Sequence, residues 1–301
     1  MSHFVFCSRR FKTGLEFAHD GPSRFASSRL LKAIIVLHHI ERYAFARMVM
    51  ALPRVAICGV ARTPIGKFMG TLSNFSAVEL GILSVKELCN RMQLDVETGV
   101  IDEVIFGQVL QAGAGQNPAR QVALGAGLPV STPCMTLNKV CGSSLKAAMT
   151  AANSIRSGEF NVIIAGGMES MTNAPYLMPQ GRGGYRFGDA TIYDHMTIDG
   201  LEDAYTKGAM GMFAEETCTK YNFSREDQDA FAITSLQRAQ DAIASGKFDA
   251  EITPFTVKTR SGEILCDKDE QPGKGNKEKI PQLRPAFKKD GSVTAANSSS
   301  I

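Results

Sequence analysis

The sequence predicts an α/β fold with a mostly parallel sheet. Short apolar runs alternate with amphipathic stretches along residues 55–165, which is the signature of strands joined by crossover helices. The helical stretches carry start and stop signals, and a cysteine stands where one strand hands over to a helix. In such sheets the loops at the carboxyl ends of the strands carry the chemistry.

Val55-Ala-Ile-Cys-Gly-Val60 is a continuous apolar run, the pattern of a strand buried on both faces. Ser76-Ala-Val-Glu79 is a capping box opening a helix, along which Val78, Ile82, Val85, Cys89 and Met92 step by four and three on one face. A second strand is predicted over Val104 to Leu110. The glycine-containing loop 111–117 then leads to Pro118, which suits the first position of another helix. A strand over 135–140, a helix over 142–157 closed by Ser157-Gly158, and a strand over 162–165 complete the series.

Cys141 sits at the corner between strand and helix, in Asn138-Lys-Val-Cys141-Gly-Ser-Ser. A helix N-terminus has unpaired N–H groups and the positive end of the dipole, which favour negative charge on a sulfur placed there. Gly142, Ser143 and Ser144 add little bulk, so a carbonyl carbon has access to the sulfur. This is what a covalent acyl-transfer nucleophile needs. The residues alone leave the alternative that Cys141 is a small buried hydrophobe.

Composition narrows the classes. The chain has 301 residues, enough for two domains and a substantial core. Residues 1–50 hold eight Arg/Lys against three Asp/Glu, a net +5, and the remaining 251 net −2. The body therefore offers no basic field for nucleic acid. Seven scattered cysteines without a C-x-x-C pair support neither a zinc site nor a secreted disulfide framework, and fit a reducing compartment. Gly113-Ala-Gly115 lacks the third glycine and the acidic residue of a dinucleotide fingerprint.

The first 50 residues differ from the rest. They are rich in Arg, Ser, Phe and His and hold four of the five histidines. Leu30 to Leu37 is apolar but far too short to span a membrane. This head reads as a presequence or as a mis-assigned start before Met48 or Met50, poorly ordered or loosely helical. From about residue 170 to 290 the alternation breaks. Ser224-Arg-Glu-Asp227 caps a helix running to Ser245-Gly246, with Ala232, Leu236, Ala239 and Ile243 on one face; Ile252 to Val257 reads as a strand, and Lys268 to Lys279 is polar.

The motifs resemble those of the thiolase family, in its acetyl-CoA acetyltransferase branch. The resemblance rests on the Cys141 heptad, on Asn161-Val-Ile-Ile-Ala-Gly-Gly-Met-Glu-Ser-Met171-Thr-Asn-Ala-Pro175, on Arg62-Thr-Pro-Ile-Gly66 and on Asn117-Pro-Ala-Arg-Gln121. Leu283-Arg-Pro-Ala-Phe287 and Val293-Thr-Ala-Ala-Asn297 follow in the same order. The resemblance implies the N-terminal half of a thiolase-like fold, a mixed, mostly parallel sheet with helices on both faces. By it, residues 51–170 and 286–301 form the α/β domain, incomplete at its end, and 171–285 form an inserted α+β loop domain over the active site. Cys141 would be acylated. Leu201 and Met210 match residues of the pantetheine tunnel, and Phe287, Ala295 and Ser299 match contacts to the adenine or pantetheine end. Ala209 replaces a family histidine, and Pro272 falls where an arginine often meets the nucleotide, with Lys274 or Lys277 as substitutes.

The implied reaction joins two acetyl-CoA into acetoacetyl-CoA and CoA, or reverses it. Coenzyme A thioester is the substrate, with no metal and no further cofactor, in a cytoplasmic homodimer or homotetramer; a genuine presequence would make the address mitochondrial. The family also uses a Gly-His-Pro histidine, a Cys-Gly-Gly cysteine and an Asn-Glu-Ala-Phe stretch, none of which occurs here. The only histidine past residue 50 is His195, which reads as a loop residue. The chain is thus expected to be a fragment with impaired turnover, ending just before a last strand and leaving an exposed edge. A non-catalytic CoA-binding or assembly module and a ketosynthase-type condensing enzyme are the alternatives.

Overall fold

The computed structural model describes residues 3–8, 54–260 and 262–301. Its centre is a five-stranded sheet in the order β2-β1-β5-β3-β4, built from β1 (His3–Ser8), β2 (Val55–Ala61), β3 (Glu103–Gly107), β4 (Cys134–Leu137) and β5 (Val162–Gly167). β3 runs parallel to both β4 and β5, and β1 runs antiparallel to both β2 and β5. The sheet is mixed and mostly parallel, as predicted.

Successive side chains of the central strands enter opposite layers. Val104, Phe106 and Ile164 join one cluster with Val85, Leu88 and Cys89 of α1 (Ala77–Arg91) and Ala119, Val122 and Ala123 of α2 (Pro118–Gly125). Ile105, Ile163 and Ala165 face the other way, onto Ala147, Ala151 and Ile155 of α3 (Ser143–Ser157). Strands buried on both faces need continuous apolar runs, and 104–106 and 162–165 supply them. Truncating one of these fully buried side chains, Phe106 for example, costs about 3–5 kcal/mol.

The caps sit where the sequence puts them. Ser76 accepts from the Glu79 amide, and the Glu79 carboxylate accepts from the Ser76 amide. Asn117, at φ 40°, accepts from the Arg120 amide and places Pro118 at the start of α2. Gly158, at φ 81°, ends α3. On α1 the buried stripe turns toward Gly81, Ser84 and Leu88; Val85 and Cys89 lie within it, while Val78, Ile82 and Met92 flank it half-buried.

Several expectations are corrected. β2 is not buried on both faces, since Ala56 and Ile57 are exposed. The strand predicted to reach Leu110 ends at Gly107, and the one predicted over 135–140 ends at Leu137, because the chain turns at both points to meet the N-terminus of α3. Residues 3–8 form a strand, neither disordered nor helical, and it fills the space between β2 and β5. Among the described residues the outer strands of the sheet are β2 and β4. Cys58 is disulfide-bonded, whereas Cys89, Cys134, Cys141, Cys218 and Cys266 are free thiols. The Leu30–Leu37 run and the rest of the head lie outside the described residues. No helix among the described residues is long and apolar enough to cross a membrane.

Residues beyond β5 add smaller units. β6 (Tyr176–Leu177) pairs with β7 (Tyr193–Asp194), and a π-turn follows at Thr197–Leu201. Helices α4 (Met210–Tyr221) and α5 (Arg225–Ala244) come next, α5 with the predicted cap at Ser224 and a half-buried Ala232, Leu236, Ala239 and Ile243 face. The hairpin β8 (Phe255–Thr259) with β9 (Gly262–Cys266) and the short α6 (Glu270–Lys274) complete the series.

Arg62 ties this region to the sheet. Arg62 is 5 % exposed, and its guanidinium bonds bidentately to Asp269 at 2.7 and 3.0 Å and reaches Glu251 at 2.6 Å. The Phe248 ring lies 5.2 Å below it. Burial alone would lower the Arg62 pKa, but the two carboxylates outweigh it and hold the group firmly charged.

Candidate active site

Cys141 lies in the turn between β4 and α3. The Gly142 amide donates to Lys139 O at 3.1 Å and the Ser143 amide to Val140 O at 3.0 Å. The buried Ser143 hydroxyl accepts from the Lys139 amide at 2.8 Å and donates to Val140 O at 2.6 Å, so one side chain closes the turn from inside. Val140 is left at φ 49°, a region β-branched residues rarely enter. Asn138 holds it there, its Oδ1 accepting from the Val140 amide at 2.8 Å.

The helix is seated as closely as backbone allows. A Cβ on Gly107 would stand 2.5 Å from the Ser143 carbonyl carbon and 2.6 Å from the Ser144 nitrogen. The N-cap is Gly142, without a side-chain cap bond. Residues 138–142 are all exposed. An exposed thiol beside an uncapped helix N-terminus is placed for nucleophilic attack on an incoming carbonyl. This removes the reading of Cys141 as a buried packing residue.

A second layer fixes the neighbouring loop. Glu169, just past β5, accepts from the amides of Val109 and Leu110 at 2.9 and 3.1 Å. Burial raises its pKa, and those two bonds oppose the rise without cancelling it. His195 is 5 % exposed; its Nε2 accepts from the Ala112 amide at 3.2 Å and its Nδ1 meets Asp199 at 2.6 Å. With Nε2 accepting from a backbone amide, Nδ1 is the ring nitrogen placed to donate to Asp199. The expectation of a plain loop residue missed this buried role. The Asp at i+4 was the available signal.

The proposed thioester contacts fall into two groups. Leu201 ends the π-turn and Met210 opens α4, and the Glu202–Ala209 bridge brings the two together. The Phe287 ring packs on Gly211, the next residue of α4. Ala295 and Ser299 instead line a cleft of about 660 Å3 with Phe231, Leu236, Pro272 and Lys279. The two groups are linked through the 285–294 turn, where the Ala286 amide donates to Val293 O at 2.9 Å. Lys274 also lines the cleft, whereas the Lys277 ammonium is taken by Gln237. Cys141 lines none of the described clefts. Among the described residues there is no cluster of His, Cys, Asp and Glu that could hold a metal.

Comparison with known proteins fits this arrangement. The family model for "Thiolase, N-terminal domain" matches residues 55–301. An acetyl-CoA acetyltransferase of Pseudomonas aeruginosa is 52 % identical over 249 residues, covering 82 % of this chain and 63 % of that protein. Acetyl-CoA acetyltransferase IA of Candida tropicalis is 45 % identical over 255 residues, covering 84 % and 63 %. Among solved structures, the acetyl-CoA acetyltransferases of Syntrophomonas wolfei and Bacillus anthracis superpose with TM-scores of 0.74 and 0.75, each at 40 % identity. Each covers 80 % of this chain, which spans 60 % and 61 % of theirs. The chain thus spans somewhat under two thirds of the relatives it matches.

Proposed function

From the premise that the chain belongs to the thiolase family, we propose that it carries the acyl-accepting half of an acetyl-CoA acetyltransferase. The Cys141 sulfur attacks the thioester carbonyl of acetyl-CoA, a tetrahedral oxyanion forms and collapses, and the CoA sulfur leaves with the proton that the cysteine gave up. The product is an acyl-enzyme thioester and free CoA. The observation that carries this is the exposed Cys141 on a locked turn at the N-terminus of α3. Leu201, Met210 and Phe287 are proposed for the pantetheine side, and Ala295 and Ser299 for the far end of the coenzyme, with no cofactor besides the substrate.

The condensation step also needs a base that removes an α-proton from a second acetyl group. The body's one histidine is committed to Asp199 and to the Ala112 amide. We therefore expect this chain to be acylated without completing turnover. The test is incubation with radiolabelled acetyl-CoA, acid quench and peptide mapping. One acetyl group on the Cys141 peptide, absent from Cys141→Ala, supports the reading. Labelling unchanged in the variant, or none at all, overturns it in favour of a CoA-binding module. Acetoacetyl-CoA thiolysis at enzymatic rates would overturn the half-reaction.

The reading extends to assembly and place. β4 is an outer strand, and Met135 on it and Leu145 and Met149 on α3 are exposed apolar side chains. That surface suits a homodimer, the unit from which a tetramer would be built, and sedimentation of Leu145→Glu against the unchanged chain tests it. The proposed compartment is the cytoplasm, or mitochondria if residues 1–50 act as a presequence; imaging of the tagged chain decides.

A further inference from the structure

We propose, resting on the assignment of Ala295 and Ser299 to the far end of the coenzyme, that Asp229 is a positioning residue for that end. It holds opposite walls of one cleft to a single helix. The cleft of about 660 Å3 has three sides, formed by Phe231 and Leu236 on α5, by Ile280 and Leu283, and by Ala295 and Ser299. Residues 283–301 belong to no helix or strand, and a lone bridge joins Pro285 to Thr294. The wall that carries Ala295 and Ser299 therefore depends on side-chain bonds for its position.

Asp229 is the one fully buried residue of α5, a helix whose apolar flank is only half-buried. A carboxylate out of water is costly unless an opposite charge and hydrogen bonds compensate it. Both are present. Its Oδ2 accepts from Arg225 Nε at 2.7 Å, and its Oδ1 accepts from Asn297 Nδ2 at 3.0 Å.

Each partner carries the bond on to a wall. Arg225 Nη2 donates to Ile280 O at 3.2 Å and to Leu283 O at 2.9 Å. Asn297 Nδ2 also donates to Ser292 O at 3.0 Å, and its Oδ1 accepts from the Thr294 amide at 2.6 Å. The hydroxyl of Thr294, a residue with no exposed surface, accepts from the Ala296 and Asn297 amides at 3.2 and 3.3 Å. The turn bearing Ala295 is thus folded around Asn297, and Asp229 fastens Asn297 to α5. Two converging donors need an acceptor at both oxygens, which an ionised Asp supplies and an Asn does not. Asp229 itself lines none of the described clefts and acts through its partners.

The test compares two acyl donors on the full chain: acetyl-CoA, and S-acetyl-pantetheine, which lacks the nucleotide. In Asp229→Asn the acetyl-CoA concentration for half-maximal labelling of Cys141 is expected to rise about tenfold, with the limiting rate unchanged. Labelling by S-acetyl-pantetheine is expected to match the unchanged chain. Equal slowing with both donors, or no change with either in a folded variant, overturns the proposal. Should Asp229→Asn fail to fold, Arg225→Lys decides, since it keeps a cation beside Asp229 and loses the Nη2 bonds to Ile280 and Leu283. There a rise of roughly threefold is expected, and no rise overturns the proposal. Calorimetric titration with free CoA probes the same cleft without chemistry, and equal affinity in Asp229→Asn would overturn the assignment. A chain whose Cys141 takes no label loses the acyl-transfer reading, while the CoA titration still decides the role of Asp229.

Discussion

The side-chain oxygen of Asn138 accepts the amide of Val140 at 2.8 Å, and that bond holds a β-branched residue at φ 49° beside the candidate nucleophile. Strain of this kind costs about 1–3 kcal/mol, and a glycine at the same φ avoids most of it. Val140 is 53 % exposed, so little packing is lost with its side chain. Val140→Gly is expected to raise unfolding stability by about 1 kcal/mol. The check is the urea midpoint, and a midpoint below that of the unchanged chain would show that Asn138 holds no strained turn.

Thiol chemistry should single out Cys141 among the free cysteines. Burial pushes the Cys89 thiol up to about 11 and raises those of Cys134 and Cys266, whereas Cys141 is exposed. Thiolate is the reacting form, so Cys89, Cys134 and Cys266 are slowed by protonation, and the buried Cys89 and Cys266 by access as well. Limited iodoacetamide at pH 7.5, an approximate working value below these raised pKa values, should label the Cys141 peptide first. Prior labelling of Cys89 or Cys134 would contradict the placement.

Removing the guanidinium of Arg62 should be among the most damaging single changes in the body. Arg62→Met leaves the Asp269 carboxylate, whose side chain is 10 % exposed, without its bidentate partner. Breaking a buried pair from one side costs about 3–5 kcal/mol. The double variant Arg62→Met/Asp269→Asn is expected to recover part of that loss in a thermal melt. Additive losses would mean that the two side chains do not act as a unit.

Glu215 makes an acid-sensitive clamp. It is 6 % exposed and accepts from the amides of Ser292 and Val293, at 2.9 and 2.8 Å for the shorter contact to each. Burial raises its pKa, but those bonds and the Ser292 hydroxyl outweigh it and bring the group below the ordinary 4.5. A depressed carboxylate contributes stability that is present above the unfolded pKa and is lost as pH falls through the folded value. Glu215→Gln should therefore cost roughly 2 kcal/mol near neutrality. The gap to the unchanged chain should close below the ordinary 4.5, and a constant gap down to strongly acidic pH would refute the clamp.

What could be read in advance followed local physics. The Ser76 and Ser224 caps, Pro118 at the start of α2 and Gly158 at the end of α3 each answer to bonds within a few residues, and each is where the sequence puts it. The strand ends at Gly107 and Leu137 were less legible. They are set by contact with α3, which no window around either residue contains. His195 was read as a loop residue because its partners, the Ala112 amide and Asp199, include one 83 positions away. β1 was invisible for a similar reason: its pairing is wholly long-range, and its composition carries no strand period strong enough to outweigh the head around it.

The seat of α3 on Gly107 has a consequence for how the corner can vary. Where two backbones touch, the spacing is a fixed length that neighbouring side chains cannot tune. The distance of the Cys141 sulfur from the sheet is therefore set by the absence of a single carbon atom at position 107. Apolar residues elsewhere in the core can be exchanged for others of like volume and leave that distance unchanged. At 107 the alphabet shrinks to one letter.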